Sequence, residues 1–221
     1  VPGIGRLLPV AADVASPAEV EAAFESAKSA FGPPDLVVAC AGTAGVLGPL
    51  WSADPGRWWD AVAVDLRGTM LTARAAIRQM LAAGSGRLVT IYGNLGDRQL
   101  GNVSAFAVAK AGIARLTESL DCELAGTRVR VFSVHPGFVR TPMTEGLAWG
   151  EQGRAWLPGF GARAEQRWGD GQPAAALIEA IARGAADELA GRVLLAGDDL
   201  SDLARKCRAD PDYRRLRLSL D

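Results

Sequence analysis

Few side chains in this sequence can move a proton near neutral pH. The single histidine, His135, precedes the turn Pro136-Gly137. Its imidazole could act as a general base, although a turn or surface histidine is the default reading. Tyr92 closes an apolar run and could donate a proton. Neighbouring strand residues point to opposite faces, however, which favours a core or interface tyrosine. Lys110 follows Phe106 by four residues, so in a helix both project from one face. Asp65 could supply a carboxylate to Lys110, or could equally be an ordinary helix-face aspartate. Cys40, Cys122 and Cys207 lie far apart and form no metal-type pair. They cannot all pair within one chain, which fits a reducing cytosol. Cys40 reads as a small buried residue. Trp149, Trp156 and Trp168 read either as a substrate cover or as interface anchors, and the sequence leaves both open.

These groups need a scaffold, and the chain alternates β-rich apolar runs with helical patterns, the signature of a parallel α/β sheet. The pattern predicts a first strand over Leu7–Val14. A helix follows with Ser16 as cap, Pro17 at the first helical position and Glu19 completing a capping box. Pro33-Pro34 ends it. A fully buried strand is expected at Leu36–Cys40, then a Gly-rich turn through Gly42. Asp54-Pro55 caps a long helix reaching about Leu81. A strand over Arg87–Tyr92, a helix over Val103–Leu124 and a strand over Val129–Val134 come next. Residues 144–171, rich in Gly and Trp, read as a mobile cover or short helices. Pro173 opens a helix to about Ala186, and Val193–Ala196 is the last strand. A charged tail ends the chain.

The 221 residues suit one domain, 1–221, and 49% hydrophobic composition is enough for a substantial core. A net charge of −1 with signs intermixed argues against nucleic acid or an anionic membrane as partner. No apolar run is long enough to cross a bilayer and no secretory signal is visible, so a cytoplasmic location is expected. The chain opens Val1-Pro2-Gly3 without methionine. A trimmed fragment and a reading frame with a valine-type start codon are equally compatible with that.

Several motifs in order resemble the short-chain dehydrogenase/reductase family. Asp13-Val14 stands where the family's acidic residue binds the adenine amino group. Ala39-Cys40-Ala41-Gly42 replaces the usual Asn-Asn-Ala-Gly. Trp59 through Gly68 resembles the helix that carries a structural asparagine, with Asp65 at that position. Ser104 through Gly112 resembles the active-site helix. Pro136-Gly137-Phe138-Val139-Arg140-Thr141 matches the turn that holds the nicotinamide carboxamide. The resemblance implies a Rossmann-like parallel sheet with flanking helices, an NAD(P) cofactor, and Asp13, Val14, Gly42, Lys110, Pro136, Gly137 and Thr141 as cofactor-binding positions. No metal is implied.

The resemblance also implies a tyrosine, lysine, serine and asparagine that transfer a proton while hydride moves. At those positions the chain has Phe106, Lys110, Gly93 and Asp65, so only the lysine remains. Losing one acid–base group costs about 10²–10⁴ in rate. The family's Gly-rich phosphate turn belongs upstream of residue 1, and Gly3-Ile4-Gly5 does not replace it, since it precedes a strand instead of following one. The expected fold therefore lacks the N-terminal Gly-rich βαβ portion. If the chain is natural and complete, the first strand must dock beside Leu36–Cys40 or stay unpaired, and an under-covered sheet face then calls for a partner.

The expected function is a non-catalytic subunit that supports an intact relative in a bacterial biosynthetic pathway, with dinucleotide binding weak or lost. Heteromeric pairs of the aminocoumarin-pathway type offer a fold-level analogy. Pairing, with that relative or with a second copy, is expected through helices near 55–81 and 103–124. Two alternatives stand beside this reading: an NAD(P)-dependent oxidoreductase with an altered site whose N-terminal part lies outside the sequence, and a ligand-sensing scaffold that uses the old cleft.

Overall fold

A computed structural model describes residues 5–93 and 100–216. Four strands, β1 (Leu36–Ala39), β2 (Gly86–Ile91), β3 (Val129–His135) and β4 (Val193–Leu195), form one sheet in that order. Every pairing is parallel, with Val38 opposite Val89, Phe132 opposite Val89 and Leu194 opposite Val134. Strand residues alternate between the two faces; both faces of β2 and β3 are covered, while β1 is only partly buried. On one side Leu88, Val129 and Val131 pack with Ala73, Ala76 and Met80 of α3 (Gly68–Ala83). On the other, Val89, Phe132 and Val134 meet Leu177 and Ile181 of α8 (Gln172–Ala182) and Leu203, Ala204 and Cys207 of α9 (Leu200–Ala209). Two-sided burial explains why these strands read as apolar runs without a polar stripe.

The expected strand over Leu7–Val14 does not form. Residues 5–12 carry no regular structure, and Leu7 is 77% exposed. The outer edge of β1 has no neighbour among the described residues, so the β-prone segment finds no ladder. For the same reason β1 is only partly buried and Cys40 is exposed, both contrary to expectation. The chain instead turns at Asp13, whose side chain accepts a hydrogen bond from the Ala15 N–H at 2.8 Å. The cap of α1 (Pro17–Phe31) also differs. Ser16 makes no side-chain cap bond, and Glu19 reaches past it to accept from the Asp13 N–H at 2.9 Å.

The long helix after Asp54 is present, with Asp54 accepting from the Arg57 N–H at 2.8 Å. It runs as α2 (Pro55–Val62), a π-helical segment (Ala63–Arg67) and α3. Such π segments are rare and concentrate at functional sites, and this one carries Asp65. The active-site-type helix is α4 (Ser104–Glu123). The Gly- and Trp-rich stretch folds as α5 (Pro142–Trp149), α6 (Glu151–Trp156) and α7 (Phe160–Glu165), which share a small core built from Ala148, Leu157, Phe160 and Ala164. It is therefore a packed cover. The following helix stops at Ala182, short of the expected Ala186. Of the charged tail, Tyr213 to Leu216 are described and Arg217 onwards lie outside the described residues.

Candidate active site

Parallel strands deliver the residues that follow their C-terminal ends to one side of the sheet, where helix N-termini and loops converge. Gly42 follows β1, Gly93 follows β2, and Pro136-Gly137 follows β3. Gly137 has φ 81°, a left-handed conformation that a side chain would strain. Helix α4 runs alongside with Phe106 and Lys110 one turn apart.

The expected positions 65, 93, 106 and 110 do meet. A Cβ added to Gly93 would lie 3.1 Å from Phe106 Cε1, 3.2 Å from Phe106 Cζ and 3.4 Å from Lys110 Cγ. Phe106 Cζ is the atom that would carry the oxygen of a phenol. The phenyl ring thus fills the space beside Gly93, and neither residue brings an exchangeable side-chain proton to it.

Lys110 is not a solvated helix lysine. It is 6% exposed, and its Nζ donates to the Ile91 carbonyl at 3.2 Å. The ammonium lies 3.6 Å from Asp65 Oδ2 and 5.3 Å from the centroid of the Phe106 ring. Asp65 is 1% exposed and also accepts from the Thr43 N–H at 2.7 Å. One carboxylate therefore ties the glycine loop after β1, the π segment and α4 together. Burial pushes the Asp65 carboxyl above its ordinary range, against the pull of Lys110 and the Thr43 N–H. Burial likewise draws the Lys110 ammonium below its ordinary range, opposed by Asp65. Each ion is costly alone in this setting and is held by the other.

Tyr92 is 3% exposed and packs edge-on to His135, with ring centroids 6.4 Å apart, in keeping with the core reading. Trp149 and Trp168 stack edge to face at 4.6 Å in the cover, and Arg140 lies over both rings. Asn102 Nδ2 donates to the Trp156 carbonyl at 2.9 Å, while its own carbonyl accepts from the Gly48 N–H at 2.9 Å. Thr43, whose N–H holds Asp65, was missed as a site residue. Asn102 adopts φ 66°, which asparagine tolerates better than most residues.

A cleft of about 480 Å³ separates the loop Gly42–Leu47 from Pro142–Gln152. A dinucleotide fits these residues only in part. Gly42, Pro136, Gly137 and Thr141 stand on the cleft side of the sheet. The Thr141 hydroxyl, however, is committed to capping α5, where it accepts from the Thr144 N–H at 3.2 Å. Asp13 and Val14 lie at the open edge beyond β1, with Val14 against Gly68. No described strand leads through a glycine-rich turn directly into a helix N-terminus suited to a pyrophosphate. Gly169 and Gly171 precede α8, but only an isolated bridge to Val139 lies behind them, and Asp170 itself takes the Gln172 N–H at 2.9 Å. Among the described residues there is also no group of side chains that could hold a metal ion, and no helix long and apolar enough to cross a membrane.

Residues 4–151 match the family model for short chain dehydrogenases. Cis-4-hydroxycyclohexanecarboxylate dehydrogenase of Sinomonas cyclohexanicum is 39% identical over 142 residues, covering 64% of this chain and 57% of that protein. The oxidoreductase UcpA of Escherichia coli is 35% identical over 144 residues, covering 65% and 54%. The chain thus matches little more than half the length of these relatives. Among solved structures, levodione reductase superposes with a TM-score of 0.75 at 26% identity, covering 86% of this chain and 76% of that one. A gluconate 5-dehydrogenase from Burkholderia cenocepacia, in complex with NADP and tartrate, gives 0.72 at 25%, covering 86% and 73%. With the parallel sheet, the converging positions 65, 93, 106 and 110 and these likenesses together, the chain belongs to the short-chain dehydrogenase/reductase family.

Proposed function

We propose that this chain is a short-chain dehydrogenase/reductase subunit without the proton-transfer chemistry of its family, supporting an intact relative in a bacterial biosynthetic pathway. One observation carries the reading: the Phe106 ring occupies the space beside Gly93, so the substrate oxygen finds neither a phenol nor a serine hydroxyl there. The remaining lysine is engaged by Asp65 and the Ile91 carbonyl, which leaves it serving the fold. NAD(P) is the family's cofactor class, and this chain binds it weakly, because the described residues offer no cradle for a pyrophosphate. Pairing uses α2–α3 and α4, whose outer faces carry Trp59, Met70 and Val108, all exposed. Exposed apolar side chains on neighbouring helices suit a subunit interface.

The test is co-expression with an intact relative from the same gene neighbourhood. The two proteins should co-purify. Replacing the relative's own catalytic tyrosine should abolish turnover by the complex, while Lys110→Met in this chain should leave its kcat within about twofold. A complex whose turnover falls with Lys110→Met by the factor of about 10² or more expected for an acid–base group would overturn the reading. A second reading, an oxidoreductase with an altered site, draws support from relatives that are themselves named as dehydrogenases at 39% identity.

A further inference from the structure

Strand β1 stands at the edge of the sheet, and half of its main-chain groups face away from β2. The Arg87 N–H donates to the Asp35 carbonyl at 2.9 Å, and Leu36 lies opposite Arg87. In a parallel ladder every second residue turns its N–H and C=O to the same neighbour. Asp35, Val37 and Ala39 therefore serve β2, whereas Leu36 and Val38 turn theirs outward, where no partner stands among the described residues. Natural sheet edges are blunted by charges, prolines or bulges. From Leu36 to Ala41 this edge carries no charged residue and no proline. A groove of about 360 Å³ adjoins it, with Val14, Phe24 and Thr72 in the lining.

The same chain carries a segment with the matching need. Residues 5–13 are exposed and without regular structure, and Leu7, Leu8 and Val10 are 77%, 43% and 45% exposed. The segment is tied to α1 at both ends. The Arg6 guanidinium lies 5.2 Å from the centroid of the Phe31 ring, and Glu19 accepts from the Asp13 N–H at 2.9 Å. Held in this way, Leu7–Val10 faces solvent and forms no ladder with β1 of its own chain. Pro9 has no N–H, which suits a strand paired along one side only. With Pro9 turned away, Leu8 and Val10 turn their main-chain groups to one partner, as Leu36 and Val38 do on the edge.

We propose that the edge of β1 takes residues 7–10 of a second copy of this chain as an added strand, with the main-chain groups of Leu8 and Val10 meeting those of Leu36 and Val38. Open ladder groups select an extended peptide, whose main chain supplies the hydrogen bonds. Each copy gives a segment and receives one, so a two-fold dimer contains two such ladders. The contact is short, and a dissociation constant of about 100 μM is expected. The inference goes beyond the functional reading and does not depend on it, since that reading places pairing on α2–α3 and α4.

The wild type is compared with the double variant Leu8→Lys/Val10→Lys. Both side chains are exposed, so the variant should keep the dispersed spectrum of the folded chain. By sedimentation equilibrium the wild type should show an association step near roughly 100 μM that the variant lacks, because charges on a strand oppose edge pairing. In ¹⁵N-labelled wild type, solvent exchange of the Val38 amide should be at least about threefold slower at about 1 mM than at about 20 μM, because the unpaired fraction carries the exchange. The variant keeps its own β1 edge. Unlabelled wild type added to the labelled variant should therefore slow the variant's Val38 amide in trans. Four results would each overturn the proposal: no such step in the wild type, Val38 exchange that does not change with concentration, association that the two lysines leave unchanged, or no slowing in trans. Association that survives the lysines would leave pairing through α2–α3 and α4 standing, so the two readings fail separately.

Discussion

Replacing Lys110 by methionine isolates the buried pair at the centre of the site. Methionine retains most of the stem and removes the ammonium that lies 3.6 Å from Asp65 Oδ2. Asp65 is then a carboxylate 1% exposed, with the Thr43 N–H as its main remaining support. Breaking a buried pair by removing one partner costs about 3–5 kcal/mol. Part of this is recovered if Asp65 takes up a proton, so roughly 3 kcal/mol is expected at neutral pH. For a chain of this size each kcal/mol moves Tm by about 2–4 °C, which places the variant roughly 6–12 °C below wild type.

The loss should depend on pH with a definite sign. The folded pKa of Asp65 already lies above its ordinary value of 3.8 because burial outweighs Lys110 and Thr43, and Lys110 lowers it. Without Lys110 it rises further. A carboxyl whose folded pKa exceeds its unfolded one incurs no penalty below the unfolded value. It then loses stability as pH rises from there through the folded pKa, and the loss levels off above that. Lys110→Met should therefore melt closer to wild type at about pH 5 than at about pH 8. Asp65→Asn alone strands a buried ammonium, whereas Asp65→Asn with Lys110→Met should lose less stability than the sum of the two single losses, by a coupling of about 2 kcal/mol or more. Calorimetric melts of the four proteins at both pH values measure this. A Lys110→Met protein within about 0.5 kcal/mol of wild type at both pH values would refute the buried pair, since changes of that size are typical of surface sites.

Three further outcomes follow from the geometry. Gly93→Ser places a Cβ about 3.1 Å from Phe106 Cε1; it should destabilise by about 1–2 kcal/mol in denaturant melts, and the loss should shrink when Phe106→Ala is added. Asp54→Ala removes the side chain that accepts the Arg57 N–H and should cost about 1 kcal/mol in the same melts. Calorimetric titration of the chain with NADH and NADPH should give dissociation constants weaker than about 100 μM, so heats well below those of a micromolar site, and micromolar binding of either would contradict the incomplete cradle.

The sequence made α2–α4 and β2–β4 legible because two-sided burial forces apolar strands and one-sided burial imposes helical spacing. Positions 65 and 93 came from the resemblance to the family alone; spacing fixed only that Phe106 and Lys110, four residues apart on a helix, share a face. The partnership of Asp65 with Lys110 had to be weighed against a solvated aspartate. Sequence spacing within α3 and α4 says nothing of how those helices approach, and the π segment that carries Asp65 left no compositional mark. Residues 7–14 failed for a physical reason: β-propensity expresses fit to a neighbouring strand, and β1 offers this segment no pairing. Helix α9 went unnoticed although Asp199 caps it, accepting from the Ser201 and Asp202 N–H groups, and Leu203, Ala204 and Cys207 mark its buried face. Charged residues between them diluted that stripe.

Neither Gly93 nor Phe106 can pass a proton to a substrate oxygen placed between them. Oxidation or reduction of NAD(H) and NADP(H) by the purified protein, followed over a panel of small ketones and alcohols, tests it most directly. No turnover above the protein-free background is expected, given a loss of about 10²–10⁴ from the missing acid–base group alone. A steady-state rate within about tenfold of an intact family member assayed alongside would contradict it.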